Sequence, residues 1–353
     1  MRDFIIIIIL NSFVFDCIHY GLHQSHSKSH RCHHLFLNKS LQIAPKFRHS
    51  NLIGHVLMEF LSKLITCFLC LFYFSLLNVV WAVLFEMGVL IYVIYHRGED
   101  PNHRTIKKLQ RNSLRPYITS SYHALHHVYP NAYFSSHHPL FDWLFGTACP
   151  IKGRTFLVTG SRGAFGREMV LALEKKGAKV LDILPNREAW QTLDKVTFSQ
   201  QLNDVDVLVL AHGSKHNETQ ENNVISQKWL IDSFLGGKKN KKVLPEIWGL
   251  GSELEFCSHI NLKAMKSYVL SKRAYARLAQ SLFADKSIMY RHIVPSAFRS
   301  SMGPGLMSAK FTVNVALFLI MRGVRYVPVT YTGLALINYF HFITRRLMFE
   351  RAH

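Results

Sequence analysis

The sequence predicts a helical membrane domain followed by an α/β domain with a doubly wound parallel sheet. Three observations predict it. Apolar residues make up 49% of the 353 residues and charged residues only 18%, with a mean hydropathy of +0.08. Fifteen of the 21 histidines fall before residue 150. At Ile151-Lys152-Gly153 the chain changes from His-rich and aromatic to short β-branched runs separated by glycine-bearing turns.

At about 150 residues per domain, the length suits two domains. A disordered tail would be poorer in apolar residues, and a collagenous chain would need far more than 19 glycines and 11 prolines. The net charge is +20. Nucleic-acid binding, attraction to anionic lipid headgroups and a lysine-favouring genome all compete to explain it. The densest basic run is only Lys238-Lys239-Asn240-Lys241-Lys242, so basic flanks of membrane segments explain the excess best and no nucleic-acid partner is expected. Cysteines at 17, 32, 67, 70, 149 and 257 are too scattered for a disulfide scaffold, and the Cys67/Cys70 pair sits in an apolar run that reads as core or lipid-facing surface.

Along the chain, the run at residues 4–15 is too short to span a bilayer comfortably and reads as the end of a membrane-buried helix. Residues 64–95 carry a single charge, Glu86. As one helix they would run roughly 48 Å, against a hydrocarbon core of ~30 Å. They read as a helical hairpin turning near Leu77-Asn78, with one strongly tilted span as the alternative. Lys63 flanks one end and Arg97, Arg104, Lys107 and Lys108 the other, which places both ends on the cytoplasmic side. Beyond residue 150, the run 154–160, a helix from about Glu168 and the run 179–184 open a βαβ unit. Further strands are expected at 206–210, 246–250 and 288–294, with a helix over 262–284. Residues 311–353 are apolar and basic and read as a membrane-associated segment. The expected domains are therefore 1–150, 151–310 and this last stretch.

Three histidine motifs dominate the first domain: His19 and His23 as HxxxH, His30, His33 and His34 as HxxHH, and His123, His126 and His127 as a second HxxHH. His96, at the exit of the hydrophobic segment, could complete the set. One histidine on an apolar face is usually a hydrogen-bonded core residue. Nine at these spacings exceed what one tetrahedral zinc can use, and imply two metal ions. His26, His49, His55, His103, His137 and His138 lack paired spacing and read as a generic His-rich background.

These motifs, with Asn131-Ala132-Tyr133 and Phe141-Asp142-Trp143-Leu144-Phe145-Gly146-Thr147, resemble the membrane fatty acid hydroxylase/sterol desaturase superfamily. The resemblance implies a non-haem di-iron centre in a membrane helix bundle, acting with O₂ on a lipid C–H bond. Its iron ligands would be the nine histidines named above. The family usually has more hydrophobic helix before its first histidine.

Thr159-Gly160-Ser161-Arg162-Gly163-Ala164-Phe165-Gly166 is a TGxxGxxG loop between an expected strand and helix. Glycines there permit a tight turn and close approach of a pyrophosphate to the helix N-terminus, as in a Rossmann-like fold. Downstream, Tyr268 and Lys272 form YxxxK on one helix face. A nearby ammonium should lower the phenol pKa, so that Tyr268 exchanges a proton with a substrate oxygen near neutral pH.

The two motifs together resemble the short-chain dehydrogenase/reductase family. That implies a catalytic trio of Tyr268, Lys272 and a serine, with Ser252 the best fit and Ser258 the fallback. It also implies cofactor contacts from Thr159, Gly160, Ser161, Arg162, Gly163, Phe165, Gly166, Ala211-His212-Gly213 (where the family has NAG), Tyr268, Lys272 and Pro295. The stretch 295–302 would close over the nicotinamide, and the family's helix asparagine would fall at Asp232. No acid follows Asp182 for an NAD ribose, and Arg162 and Arg187 are near, so NADP is favoured over NAD. The order of modules resembles the bifunctional sterol desaturase/short-chain dehydrogenase proteins of cyanobacteria and plastids.

The expected whole is a membrane-bound oxidoreductase of lipid-like molecules with two irons and NADP. Its electron donor is unnamed by the sequence, and its Rossmann-like domain would lie on the cytoplasmic or stromal side. The alternatives are a membrane-anchored reductase with a vestigial metal domain, and a non-enzymatic NADP sensor or scaffold.

Overall fold

A computed structural model describes residues 1–25, 27–111, 117–181, 195–214, 221–238, 242–256 and 265–350. The chain divides into two compact units, Met1–Pro150 and Ile151–His353.

The first unit begins with α1 (Arg2–Gln24) and α2 (Lys28–Phe36). A continuous helix α3 (Pro45–Cys70) and α4 (Leu76–Tyr95) follow, then the shorter α5 (Ser120–Val128) and α6 (Leu140–Phe145). α1, α3 and α4 are each long and apolar enough to cross a membrane. The N-terminal run, expected to be too short for this, is the start of a 23-residue helix. Ser12, Asp16 and His19, which make the helix look finished in sequence, recur at helical spacing and are buried. Polar residues on the inward face of a membrane bundle do not end a span.

The hairpin exists, but α3 stops at Cys70 and the turn precedes Ser75, whose hydroxyl caps α4 by accepting from Asn78 N–H. The turn therefore falls before the expected Leu77-Asn78. Lys63, expected as a basic flank, is buried inside the bundle. Its ammonium donates to Glu59 (2.7 Å) and lies 3.5 Å from Glu86, and Asn11 donates to the far oxygen of Glu86. A charge at that depth is tolerated because it is paired.

The second unit is a six-stranded parallel sheet of order 2-1-3-4-5-6. Its strands are β1 (Thr155–Thr159), β2 (Lys179–Leu181), β3 (Val207–Leu210), β4 (Glu246–Leu250), β5 (Met289–Pro295) and β6 (Tyr326–Val329). β1, β3, β4 and β5 are buried almost throughout, as strands covered on both faces must be. Among the described residues, the α-helices between and after them are α7 (Ala164–Lys175), α8 (Lys195–Gln201), α9 (Ser226–Gly236), α10 (Lys266–Ala284), α11 (Ala309–Met321) and α12 (Leu334–Glu350). α7 packs with α11, and α10 with α12.

Residues 311–353, expected as a separate membrane-associated stretch, instead supply most of α11, β6 and α12 and belong to this unit. Much of their hydrophobicity is core: Val313, Ala316, Leu317, Ile320 and Phe342 are buried.

At the start of β4, buried Glu246 accepts from Arg154 (2.9 Å), Arg291 (2.8 Å) and the Trp248 indole (2.8 Å). Burial alone would raise its pKa, but the two guanidiniums hold it down to about 2. Its folded pKa is thus depressed, so its contribution to stability is full above the ordinary carboxylate pKa and is lost as pH falls from there toward 2. Glu246→Gln should cost about 3–5 kcal/mol at neutral pH, because it leaves two buried guanidiniums without their anion. It should also flatten the acid limb of stability, read by denaturant melts in detergent at pH 3 and pH 6. Equal acid slopes in variant and parent would contradict the assignment.

Candidate metal centre and dinucleotide site

Two groups of imidazoles assemble in the first unit. His19 and His23 from α1, His30 and His34 from α2 and His126 from α5 form one; His33, His103, His123 and His127 form the other. Within each group, one ligand nitrogen per residue lies within 4.8 Å of all the others. The HxxHH spacing now has a geometric reason. On both α2 and α5 the residues four apart (His30 and His34; His123 and His127) face one group, and the histidine between them (His33; His126) turns to the other.

The hydrogen bonds around the rings leave their Nε2 lone pairs pointing inward. Nδ1–H of His126 donates to the Ala132 carbonyl (2.8 Å) and that of His127 to the Leu37 carbonyl (2.8 Å). The same nitrogen of His33 donates to Asn51 (3.0 Å), and that of His103 to the Asp100 carboxylate (2.8 Å). An oxygen acceptor on Nδ1 fixes the tautomer and raises the basicity of Nε2, as it does for metal-bound histidines. His23 Nε2 lies 2.7 Å from His30 Nε2, 3.0 Å from His126 Nε2 and 3.1 Å from His34 Nε2. No placement of one proton satisfies three such contacts, whereas a cation among them does. Buried ring nitrogens of His19, His30, His33, His123 and His127 also lack a hydrogen-bond partner.

Burial, reinforced by neighbouring imidazoles, holds His33, His123, His126 and His127 well below the usual histidine range, His30 near about 3 and His34 near about 2. These rings are neutral at pH 7, the state a metal requires. Nitrogen donors in this number suit iron, zinc or copper better than a hard oxygen-seeking cation.

One expected ligand is corrected. His96 is exposed at the end of α4, against Tyr92 and Tyr95, and belongs to neither group. His103, not singled out by its spacing, instead joins His33, His123 and His127 in the second group. Its signal in the sequence was an acid three residues earlier, Asp100, rather than a second histidine. His55 is also buried here and stacks on His33 at 3.6 Å. The Asn131-Ala132-Tyr133 and Phe141–Thr147 motifs support the centre rather than line it. Asp142 accepts from Phe134 N–H, Ser135 N–H, the Thr147 hydroxyl and the Tyr122 hydroxyl, tying the loop that carries Ala132 to α5.

In the second unit, Gly160 at the end of β1 has φ +65°, and a side chain there would come within 2.8 Å of the His212 backbone. A Cβ on Gly166 would strike the Gly160 carbonyl. The glycines are thus needed for the loop to fold on itself, before any ligand approaches. Thr159 Oγ1 accepts from the backbone N–H of Ala211 (2.9 Å) and His212 (3.2 Å), joining the Ala211-His212-Gly213 stretch to the loop. Arg162 is exposed on the loop, and α7 is preceded at its N-cap by Gly163, with no side chain capping its N–H groups. That leaves open the helix end on which a pyrophosphate would rest. Phe165 meets Phe298, so the stretch that follows Pro295 packs beside α7.

Tyr268 and Lys272 share one face of α10, and the Ser252 hydroxyl hydrogen-bonds the Tyr268 phenol. Lys272 Nζ donates to the Leu250 carbonyl (2.9 Å) and lies 5.9 Å from the Tyr268 ring. The expected lowering of the phenol by this ammonium is not what the structure shows. Burial pushes Tyr268 up to about 12, with only the Ser252 bond opposing it, and burial brings Lys272 down to about 8. Asp232 is exposed on α9. The buried asparagine beside α10 is Asn223, which donates to Ser271 (2.9 Å), the neighbour of Lys272, and is bonded twice to Ser214. Ser258, Arg187 and the end of the second strand from Asp182 lie outside the described residues.

Residues 4–147 match the family described as fatty acid hydroxylase. Over 251 residues the chain is 28% identical to the monoglucosyldiacylglycerol epimerase of Synechocystis sp.. That match takes in 63% of this chain and 60% of the relative, so the chain spans about three-fifths of the curated relative's length. Among solved structures it is similar to a short chain dehydrogenase from Burkholderia cenocepacia in complex with NADP (16% identity, 58% of this chain, 99% of that one, TM-score 0.44). It is also similar to a short-chain dehydrogenase from Sphingobium yanoikuyae in complex with NADPH (16% identity, 55% and 95%, TM-score 0.43). The stretch that matches this family is thus the histidine-bearing first unit, and the unit that follows it is a Rossmann-like α/β domain by its own strand order.

Proposed function

We propose that the protein is a membrane-bound oxidoreductase of lipids, with a two-iron site in the first unit and an NADP(H)-dependent dehydrogenase site in the second. The observation that carries the reading is the pair of converging imidazole groups in a unit that also holds three bilayer-length helices. His19, His23, His30, His34 and His126 would hold one ion, and His33, His103, His123 and His127 the other. Bound there, two irons would supply O₂ activation against a lipid C–H bond. The chain's own part is to orient the rings, those of His126, His127, His33 and His103 through Ala132, Leu37, Asn51 and Asp100, and to bury most of them.

In the second unit, the open N-terminus of α7 and the loop from Thr159 to Gly166 would hold the pyrophosphate, with Arg162 at hand for a 2′-phosphate. NADP(H) would supply or accept the hydride. Ser252 orients the substrate oxygen, and Tyr268 gives or takes its proton. Lys272 holds the strand end at Leu250 and is positioned to lower the phenol once a ribose displaces that bond. The relative's name supports a glycosylated diacylglycerol as the first substrate class to test. Detergent-purified chain should bind NADPH, and should consume it or interconvert glycolipids when glucosyl- and galactosyl-diacylglycerols are offered in nanodiscs. Absence of any NADPH binding would contradict the dehydrogenase assignment.

Topology follows from the same reading. α1 and the α3–α4 turn share one end of the bundle, where Ile7 packs with Cys67, Cys70 and Val79, and the histidines lie at the other. Arg48, Arg97, Arg104, Lys107 and Lys108 crowd the histidine side, which is thereby the cytoplasmic or stromal one. Cysteines placed at Tyr73, which is 86% exposed, and at Arg97 should be labelled from opposite faces of sealed vesicles. Labelling from the same face would overturn the hairpin topology.

A further inference from the structure

The second unit exposes large apolar side chains along one edge. In a parallel sheet every strand ends at the same edge, and the helix after it starts there. Leu270 in the first turns of α10, Phe311 at the start of α11, and Leu336, Ile337 and Phe340 in the first two turns of α12 are 51–69% exposed, and Leu306, before α11, is 78% exposed. Tyr268, Ser252 and the loop at Gly160 lie on this edge too, so a lipid held against it is presented to the dehydrogenase site. Basic residues are interleaved with them: Arg162, Lys266, Arg299 and Lys310 are all exposed at the same edge. Among the described residues, Ile225, before α9, and Tyr331, after β6, are also exposed, and Leu171 on α7 and Phe318 on α11 lie further along their helices.

We propose that this edge docks on the bilayer surface, so that the second unit takes its lipid directly from the membrane. The proposal rests on the lipid reading above and deepens it. An apolar rim set with lysine and arginine is the chemistry of an interfacial anchor on anionic lipid. The same chain carries the three membrane-length helices, so a bilayer is always within reach. A second copy fits less well, because a two-fold contact would set these basic residues against their own kind.

The test uses the full chain in nanodiscs of phosphatidylcholine and phosphatidylglycerol, with the photo-crosslinker p-benzoylphenylalanine placed at Phe311, at Ile337 or at the control Leu171. The mass of a phospholipid should be added at 311 and 337, about tenfold more than at 171. Crosslinks to a second chain, crosslinks only within the chain, or equal lipid labelling at 171 would each overturn docking. The double variant Phe311→Glu, Ile337→Glu should raise KM for a diacyl substrate in nanodiscs by about tenfold, with NADPH affinity and turnover of a water-soluble short-chain analogue unchanged. An unchanged KM would overturn the proposal. Crosslinking needs no turnover, so a chain that labels with lipid but never uses NADPH would contradict the enzymatic reading and leave docking standing.

Discussion

Replacing His126 with alanine should remove about half the bound metal, leaving roughly one ion per chain. The ring is fully buried, its Nδ1–H is committed to Ala132, and its Nε2 lies 3.0 Å from that of His23 in the five-histidine group. His33→Ala should remove the other ion, because His33 belongs to the four-histidine group. His49→Ala, at an exposed position, should leave both in place. The sharper comparison is between His96 and His103. His96→Ala should retain full metal, and His103→Ala should behave like a ligand variant. The reverse result would make the exposed ring at the end of α4, and not His103, the ligand.

Tyr268→Phe should abolish turnover with NADPH while sparing its binding. The substitution keeps the ring and removes only the hydroxyl that Ser252 holds. Loss of a positioned proton donor typically costs 10²–10⁴-fold, or roughly 3–5 kcal/mol of barrier. Lys272→Ala should weaken NADPH binding as well, since it frees the Leu250 carbonyl at the strand end and removes the ammonium expected at the ribose. Gly160→Val should lose both binding and turnover, because its Cβ would meet the His212 backbone at 2.8 Å from a left-handed conformation. NADPH fluorescence titration alongside NADPH oxidation distinguishes the three. Undiminished turnover in Tyr268→Phe would leave a binding protein rather than a dehydrogenase.

The Rossmann-like sheet was legible in sequence because its buried strands are continuous apolar runs bounded by turns. The expected runs at 206–210, 246–250 and 288–294 lie on β3, β4 and β5. The same property hides the boundary at residue 311: a sixth strand between two helices reads as one apolar stretch, although it belongs to the second unit. At the metal centre, repeated spacing found the histidines of α1, α2 and α5. It could not find His103, whose orienting partner is Asp100 rather than another ring. Lys63 and Asp16 misled because a charge in an apolar run reads as a boundary, whereas here each faces inward and is bonded to a partner. The state of Tyr268 was beyond spacing altogether. YxxxK gives the neighbour, but burial of the phenol and the reach of Lys272 to Leu250 decide its pKa.

The most direct test of the two-site reading is the metal content of the detergent-purified, folded wild-type chain by elemental analysis. The arrangement of nine imidazoles in two groups predicts close to two irons per chain. A folded chain without metal, or one holding a single zinc that His126→Ala does not disturb, would contradict it.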